Sequence, residues 1–188
     1  MRRTLKTLLI AAAILVPAAA EAGWQDEASS FDQSRLARLD EARSQAIAEA
    51  GDVSAARETL DAAATGGSLT GTWRCRTIKL GGMTSSVVYS WFRCRISDER
   101  GALRFEKISG SQRMGGTLYP EANGYVYLGA SWVKGEKPHR YSGSGASVGA
   151  QATPDDQVGH LTATSAGARL EMPYPLQEST LDVIELKR

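Results

Sequence analysis

Four arginines bracket the two cysteines of this 188-residue chain, in the runs Arg74-Cys75-Arg76 and Arg93-Cys94-Arg95. In a strand, successive side chains point to opposite faces, so each run sets its cysteine on one face and its arginines on the other. With Gly82 to Val87 as the turn of a hairpin, Cys75 stands opposite Cys94. Directly opposed antiparallel residues lie about 4.5–5.5 Å apart at Cα, a span that a disulfide bridges. The same register pairs Trp73 with Ile96 and Thr77 with Phe92. One face then carries Trp73, Cys75, Phe92, Cys94 and Ile96, which is a core face. A metal site is the other use of two cysteines, and this chain lacks suitably spaced further ligands for one.

The opposite face gathers Arg74, Arg76, Arg93 and Arg95, with Arg76 facing Arg93 and Arg74 facing Arg95. Like charges directly opposed weaken a sheet by about 0.2–1 kcal/mol. Acids on neighbouring strands, or a bound anion, must offset that. Solvated arginines with scattered acid partners are the plain reading. A candidate anion face is the functional one, because arginine forks hold carboxylate and phosphate bidentately.

Other chemistry-bearing residues are sparse. The histidines are only two, His139 and His160. Neither stands in a catalytic motif, and no spacing ties them to Asp155, Asp156 or Asp182. Ser109-Gly110-Ser111-Gln112-Arg113 follows a strand and is a candidate loop for cradling an anion through backbone N–H groups. It does not match a phosphate-binding loop, and Ser111 is in no nucleophile elbow, so a polar turn is the default. No cofactor, metal or catalytic residue is called.

Stepping outward, the chain divides into three parts. Residues 1–22 read as a secretory signal: Arg2, Arg3 and Lys6 precede an apolar run from Leu8 to Ala20, and Ala20-Glu21-Ala22 is a small-x-small cleavage site. The run falls short of the roughly 20 residues of a spanning helix, and Pro17 breaks it. Cleavage removes three cations and one acid, taking the net charge from +1 to −1. That balance argues against nucleic-acid binding. Export also favours the disulfide. The expected mature chain begins at Gly23, in the periplasm or outside the cell, with no integral membrane span.

Residues 23–67 form a helical N-terminal arm. Ser30 is its candidate N-cap; Leu36, Leu39, Arg43 to Ile47 and Ala50 make one stripe; Gly51 is the candidate C-terminal cap. Arg35, Arg38, Asp40, Glu41 and Glu49 belong to a solvated face. A second short helix starts near Asp52 or Ser54. Residues 68–188 are β in character, with strands expected at Thr70–Leu80, Val87–Ser97, Ala102–Ser109, Gly115–Tyr119, Gly124–Val133, Gln157–Thr164, Ala168–Met172 and Thr180–Leu186. Asn123-Gly124 is the strongest hairpin signal among them. Tyr141 to Asp156 reads as a loop, and Pro173-Tyr174-Pro175 as extended. The fold class is therefore mainly β with N-terminal helices: a small antiparallel barrel or sandwich of about eight strands.

Four segments carry a resemblance: RCRTIKLG at 74–81, WFRCRI at 91–96, GSQR at 110–113 and DVIEL at 182–186. They resemble a bacterial family of small exported proteins known as domain of unknown function 4893, which brings no activity, cofactor or catalytic residue with it. Gly71-x-Trp73 resembles the Gly-x-Trp that opens the barrel of lipocalins and of calycin-like periplasmic metalloprotease inhibitors. That likeness implies that Trp73 closes one barrel end. The function expected is a non-catalytic binding module of the cell envelope, whose partner is an unknown small ligand or an envelope protein. The alternatives are a protease-inhibitor-like protein acting through its arm, and an envelope hydrolase.

Overall fold

A computed structural model describes residues 23–143 and 153–188. The expected signal, 1–22, and the middle of the expected loop, 144–152, lie outside the described residues. Nine strands follow the helices: β1 Gly71–Leu80, β2 Ser86–Val88, β3 Phe92–Glu99, β4 Ala102–Lys107, β5 Gln112–Glu121, β6 Gly124–Val133, β7 Asp156–Thr164, β8 Gly167–Pro173 and β9 Leu181–Lys187. All pairings are antiparallel. β1 pairs with both β3 and β9, so β1 and β3–β9 close an eight-stranded up-and-down barrel, while β2 adds only to β1. Closure leaves the barrel wall without the unpaired edges that an open sheet exposes.

The hairpin of the two cysteines has a different register from the expected one. Gly81 N–H donates to the Ser85 carbonyl at 2.8 Å, so the turn is tighter than Gly82–Val87. Ile78 faces Val88, and Tyr89 donates to Thr77 at 2.9 Å. Farther down, Cys75 faces Phe92, Arg74 faces Arg93 and Trp73 faces Cys94. Between these stretches β1 spends one residue, Arg76, where its partner spends two, Ser90 and Trp91. That is a β-bulge. The tight turn alone shifts the pairing by three residues and would send the cysteine of β3 to the outer face. The bulge returns one residue, so the net shift is two and the inward set survives.

Alternation then sorts β1 cleanly. Trp73, Cys75, Thr77 and Lys79 point inward; Arg74, Arg76, Ile78 and Leu80 point outward. The interior core joins Trp73, Ile96, Phe105, Tyr127, Leu170 and Ile184. Ile78 and Leu80, with Leu181 and Val183 of β9, lie under the arm against Ala46, Ala56 and Leu60. The Asn-Gly hairpin is shifted by one: Glu121 faces Gly124, which makes Ala122-Asn123 the two turn residues. Gly124 instead opens β6 with φ 144°, where a Cβ would stand 2.3 Å from the Leu161 carbonyl oxygen.

The arm comprises α1 Trp24–Glu27, α2 Ser30–Ala37, α3 Leu39–Glu49 and α4 Ser54–Leu60. Ser29, not Ser30, caps α2 by accepting from Asp32 N at 3.1 Å. Ala42 and Ala46 are fully buried, and such small side chains let α3 lie close against the wall. Ile47 departs from the expected stripe at 37 % exposure. Gly51 is not left-handed, and Ala50 ends α3 in an extended conformation. Arg35 is buried rather than solvated and pairs with buried Asp32 at 2.5 Å. Arg43 makes two bonds, 2.8 and 2.9 Å, to buried Glu171 of β8. Arg169 also reaches Glu171 at 2.8 Å and donates to the carbonyls of Thr59 and Ala62 at the end of α4. Tyr174 is not extended but left-handed, with φ 46°.

Candidate functional site

The four arginines share the outer face of β1 and β3, as their spacing requires, but they do not share one fate. Arg76 meets Glu185 of β9 at 2.5 Å, and Arg95 meets Glu106 of β4 at 2.8 Å. Arg74 and Arg93 oppose each other directly, and neither pairs with a carboxylate among the described residues. Trp91, delivered to this face by the bulge, stacks on Arg74 at 4.9 Å and Arg76 at 4.8 Å. An aromatic face attracts both guanidiniums and offsets part of their repulsion. So half of the candidate anion face is a structural ion-pair set, and the other half is a solvated pair beside a tryptophan.

Cys75 and Cys94 form the disulfide inside the barrel, both fully buried, with Cα atoms 5.8 Å apart. The bond runs diagonally, since Cys94 faces Trp73. Trp73 is buried at the same end. Its indole N–H donates to the Leu69 carbonyl at 2.9 Å, and Arg188 lies 4.4 Å over its ring. Leu69 and Trp73 join the interior core cluster here.

The candidate loop turns between β4 and β5. Ser109 Oγ accepts from Arg93 N at 2.7 Å. Gly110 has φ 90° and bends so close over Phe92 that a Cβ would meet the ring at 2.9 Å. The Gln112 carbonyl accepts from Lys107 Nζ at 2.8 Å. Gln112 and Arg113 already belong to β5. The two histidines lie apart: His139 contacts Asp155 at 3.1 Å, and His160 contacts Glu121 at 3.2 Å. Among the described residues no three His, Cys, Asp or Glu side chains gather as a metal would need, and no helix is long and apolar enough to cross a membrane.

The barrel's other end is open. The C-terminal ends of β1, β4, β6 and β8 and the starts of β5, β7 and β9 surround a cavity of about 390 Å³. Its apolar floor includes Met114, Met172 and Ile184, and its walls carry Thr77, Ser131 and Gln157. Three strands supply inward charges there: Lys79 from β1, Lys107 from β4 and Asp182 from β9. Lys107 and Asp182 each lie at the mouth end of a row whose deeper members are apolar, and Lys79 follows Thr77 above Cys75 and Trp73.

The charges differ in compensation. Lys79 sits 3.1 Å from Glu178 and 3.7 Å from Asp182. Burial alone would lower its pKa, but the Asp182 and Glu178 carboxylates outweigh that and hold it above the usual lysine value. Asp182 is pushed up, because burial outweighs a Lys79 that lies nearer to Glu178. A Ser179 hydroxyl at 2.5 Å is its hydrogen-bond donor. Lys107, only 8 % exposed, has no carboxylate partner among the described residues. Burial, and then the nearby Arg113 guanidinium, lower its pKa. Its ammonium rests 4.2 Å over the Phe92 ring.

Lys79, Lys107 and Gln157 carry no site expectation from the sequence, and Asp182 enters there only as a histidine partner that no spacing supports. The available signal was parity: Thr77 and Lys79 continue the inward set of Trp73 and Cys75, as Lys107 continues Leu103 and Phe105. No curated protein and no solved structure matches the chain. A family model spans residues 24–186, and the chain belongs to the family described as a domain of unknown function (DUF4893).

Proposed function

We propose that this chain is a non-catalytic binding module of the cell envelope that receives a small ligand in the mouth of its barrel. The carrying observation is the division of the interior. One end is filled by Trp73, the disulfide and the apolar core; the other is a cavity of about 390 Å³ with an apolar floor and polar walls. That size lies within the roughly 300–1,000 Å³ of small-molecule sites, and a few placed polar groups on apolar walls are their usual lining. The export signal read at residues 1–22 supports an envelope location, as does a disulfide inside the barrel. An inhibitor acting through a free arm gains less support, because Arg43 and Glu171 tie the arm to the wall.

The test is native mass spectrometry of mature protein purified from its own periplasm, beside a Thr77→Trp variant that fills the mouth. The expected result is a small molecule that accompanies the wild type and is lost from the variant. Retention of the same molecule by Thr77→Trp would remove the cavity as its site.

A further inference from the structure

The charged groups lining the mouth can be matched one by one. Arg35 is taken by Asp32 at 2.5 Å, and Lys79 stands between Glu178 and Asp182. Asp155 has His139, and Asp156 accepts from the backbone and hydroxyl of Ser142. Glu136 accepts from Val133 N at 2.8 Å. Two lining cations remain without an acid among the described residues, Lys107 and Arg113. They come from adjacent strands: Lys107 points inward, whereas Arg113, beside inward Met114, springs from the outer side of β5 at the cavity rim, near enough to lower the Lys107 pKa.

A buried ammonium without a counter-ion is costly, and proteins ordinarily pair it. Lys107 has three donors and uses one, on the Gln112 carbonyl; Phe92 supplies only a ring face. A second observation is independent of charge. Gln157 Oε1, on the cavity wall, is buried and accepts no hydrogen bond among the described residues. Two spare cationic donors and one spare acceptor thus border an apolar floor.

We infer that the ligand of this cavity is a small organic anion whose acid group pairs with inward Lys107, within reach of Arg113 at the rim, and whose apolar part rests on Met114 and Met172. This rests on the reading of the mouth as a ligand site and adds the ligand's chemical class. Gln157 further favours a ligand with a hydroxyl or N–H to donate. An acid group here gains a charge-assisted bond to the largely buried Lys107 and the attraction of Arg113 at the rim, and bonds to charged groups are stronger than neutral ones.

Two fluorescent probes of one skeleton separate the parts of this inference: 8-anilinonaphthalene-1-sulfonate, an anion, and N-phenyl-1-naphthylamine, which lacks the sulfonate. Each is titrated into the full mature protein and into Lys107→Met, Arg113→Gln and, as a control on the outer face, Arg93→Gln. Loss of one charge-assisted bond corresponds to roughly ten-fold or more in affinity. The wild type should therefore prefer the sulfonate by at least about that factor. The preference should shrink with salt, collapse in Lys107→Met, weaken in Arg113→Gln and persist in Arg93→Gln. The neutral probe should bind all four proteins alike. Equal affinity for both probes, or a sulfonate preference untouched by Lys107→Met, would overturn the anion while leaving the cavity as a ligand site. Failure of the wild type to bind either probe would overturn the cavity reading itself. Lys107→Met should fold, since methionine fills the same space without a charge. Its melting temperature without ligand should rise by a few degrees, because a buried charge without an acid partner is removed.

Discussion

Arg35 of the arm donates to the Tyr174 carbonyl at 3.0 Å and fixes a left-handed residue directly before a proline. Arg38 lies 4.3 Å over the Tyr174 ring, and the Tyr174 hydroxyl donates to Gln45 at 3.1 Å. One residue of the β8–β9 connection is thus held by α2 and α3 together. The next three, Pro175, Leu176 and Gln177, form part of the cavity rim. The arm therefore does more than cover the wall; it sets the position of one side of the mouth.

That contact predicts an unusual order of variants. A left-handed non-glycine residue costs on the order of 1 kcal/mol or more. Tyr174→Ala keeps that cost and loses the ring and hydroxyl contacts, for a loss of about 1–2 kcal/mol. Tyr174→Gly loses the same contacts but is at ease at positive φ, so it should be the more stable of the two variants. Chemical denaturation gives the order, and hydrogen exchange should quicken in α2, α3 and the rim in both. An alanine variant more stable than the glycine variant would contradict the backbone assignment.

The anchor between the arm and β8 predicts an asymmetry. Glu171 is 1 % exposed and serves both Arg43 and Arg169. Glu171→Ala leaves buried Arg169 without its acid and should cost about 3–5 kcal/mol. Arg43→Ala leaves the Arg169–Glu171 pair intact and should cost about 1–2 kcal/mol. Urea unfolding of both variants measures the difference, and equal losses would argue against Glu171 as the shared acid.

The disulfide joins residues 19 apart. A loop of that length is worth roughly 3 kcal/mol in the chain-entropy account. The paired change Cys75→Ala and Cys94→Ala should lower the melting temperature by that equivalent. Free thiols titrating in the native protein would contradict the bond.

Acid should act on the arm through Glu49. Its carboxylate accepts from Thr180, Gln45 and Gly82 N–H, which together hold its pKa below the ordinary 4.5. A depressed carboxylate contributes stability above its unfolded pKa and loses it as pH falls through the folded one. The gap in stability between wild type and Glu49→Gln should therefore be constant near neutrality and close below about pH 4.5. A gap that stays unchanged down to about pH 3 would show that the carboxylate form carries none of it.

Much of the fold was legible because strands obey parity. The two Arg-Cys-Arg runs set each cysteine opposite in facing to its arginines, so with both cysteines inward the arginines share the outer face in any register. The register itself depended on Ser90 and Trp91 bulging opposite Arg76, a local device with no composition of its own. The closing pair β1–β9 joins residues more than a hundred apart, so Arg76 meeting Glu185 was beyond any local pattern. Tyr174 took its left-handed backbone from contacts with Arg35, Arg38 and Gln45, against the preference of a residue before proline. Lys79, Lys107 and Asp182 were readable in principle, as inward positions that turn polar at one end. Recognising them as one site required knowing that those strand ends meet around a single mouth.

The central claim is that ligand binding occupies the mouth and not the arginine face. The most direct measurement is a backbone amide NMR titration of the mature protein with 8-anilinonaphthalene-1-sulfonate at moderate salt. The account predicts shift changes concentrated at the mouth ends of the strands, around Lys79, Lys107, Ser131 and Gln157, with Arg74, Trp91 and Arg93 unmoved. Changes confined to Arg74, Trp91 and Arg93, with the mouth silent, would contradict it.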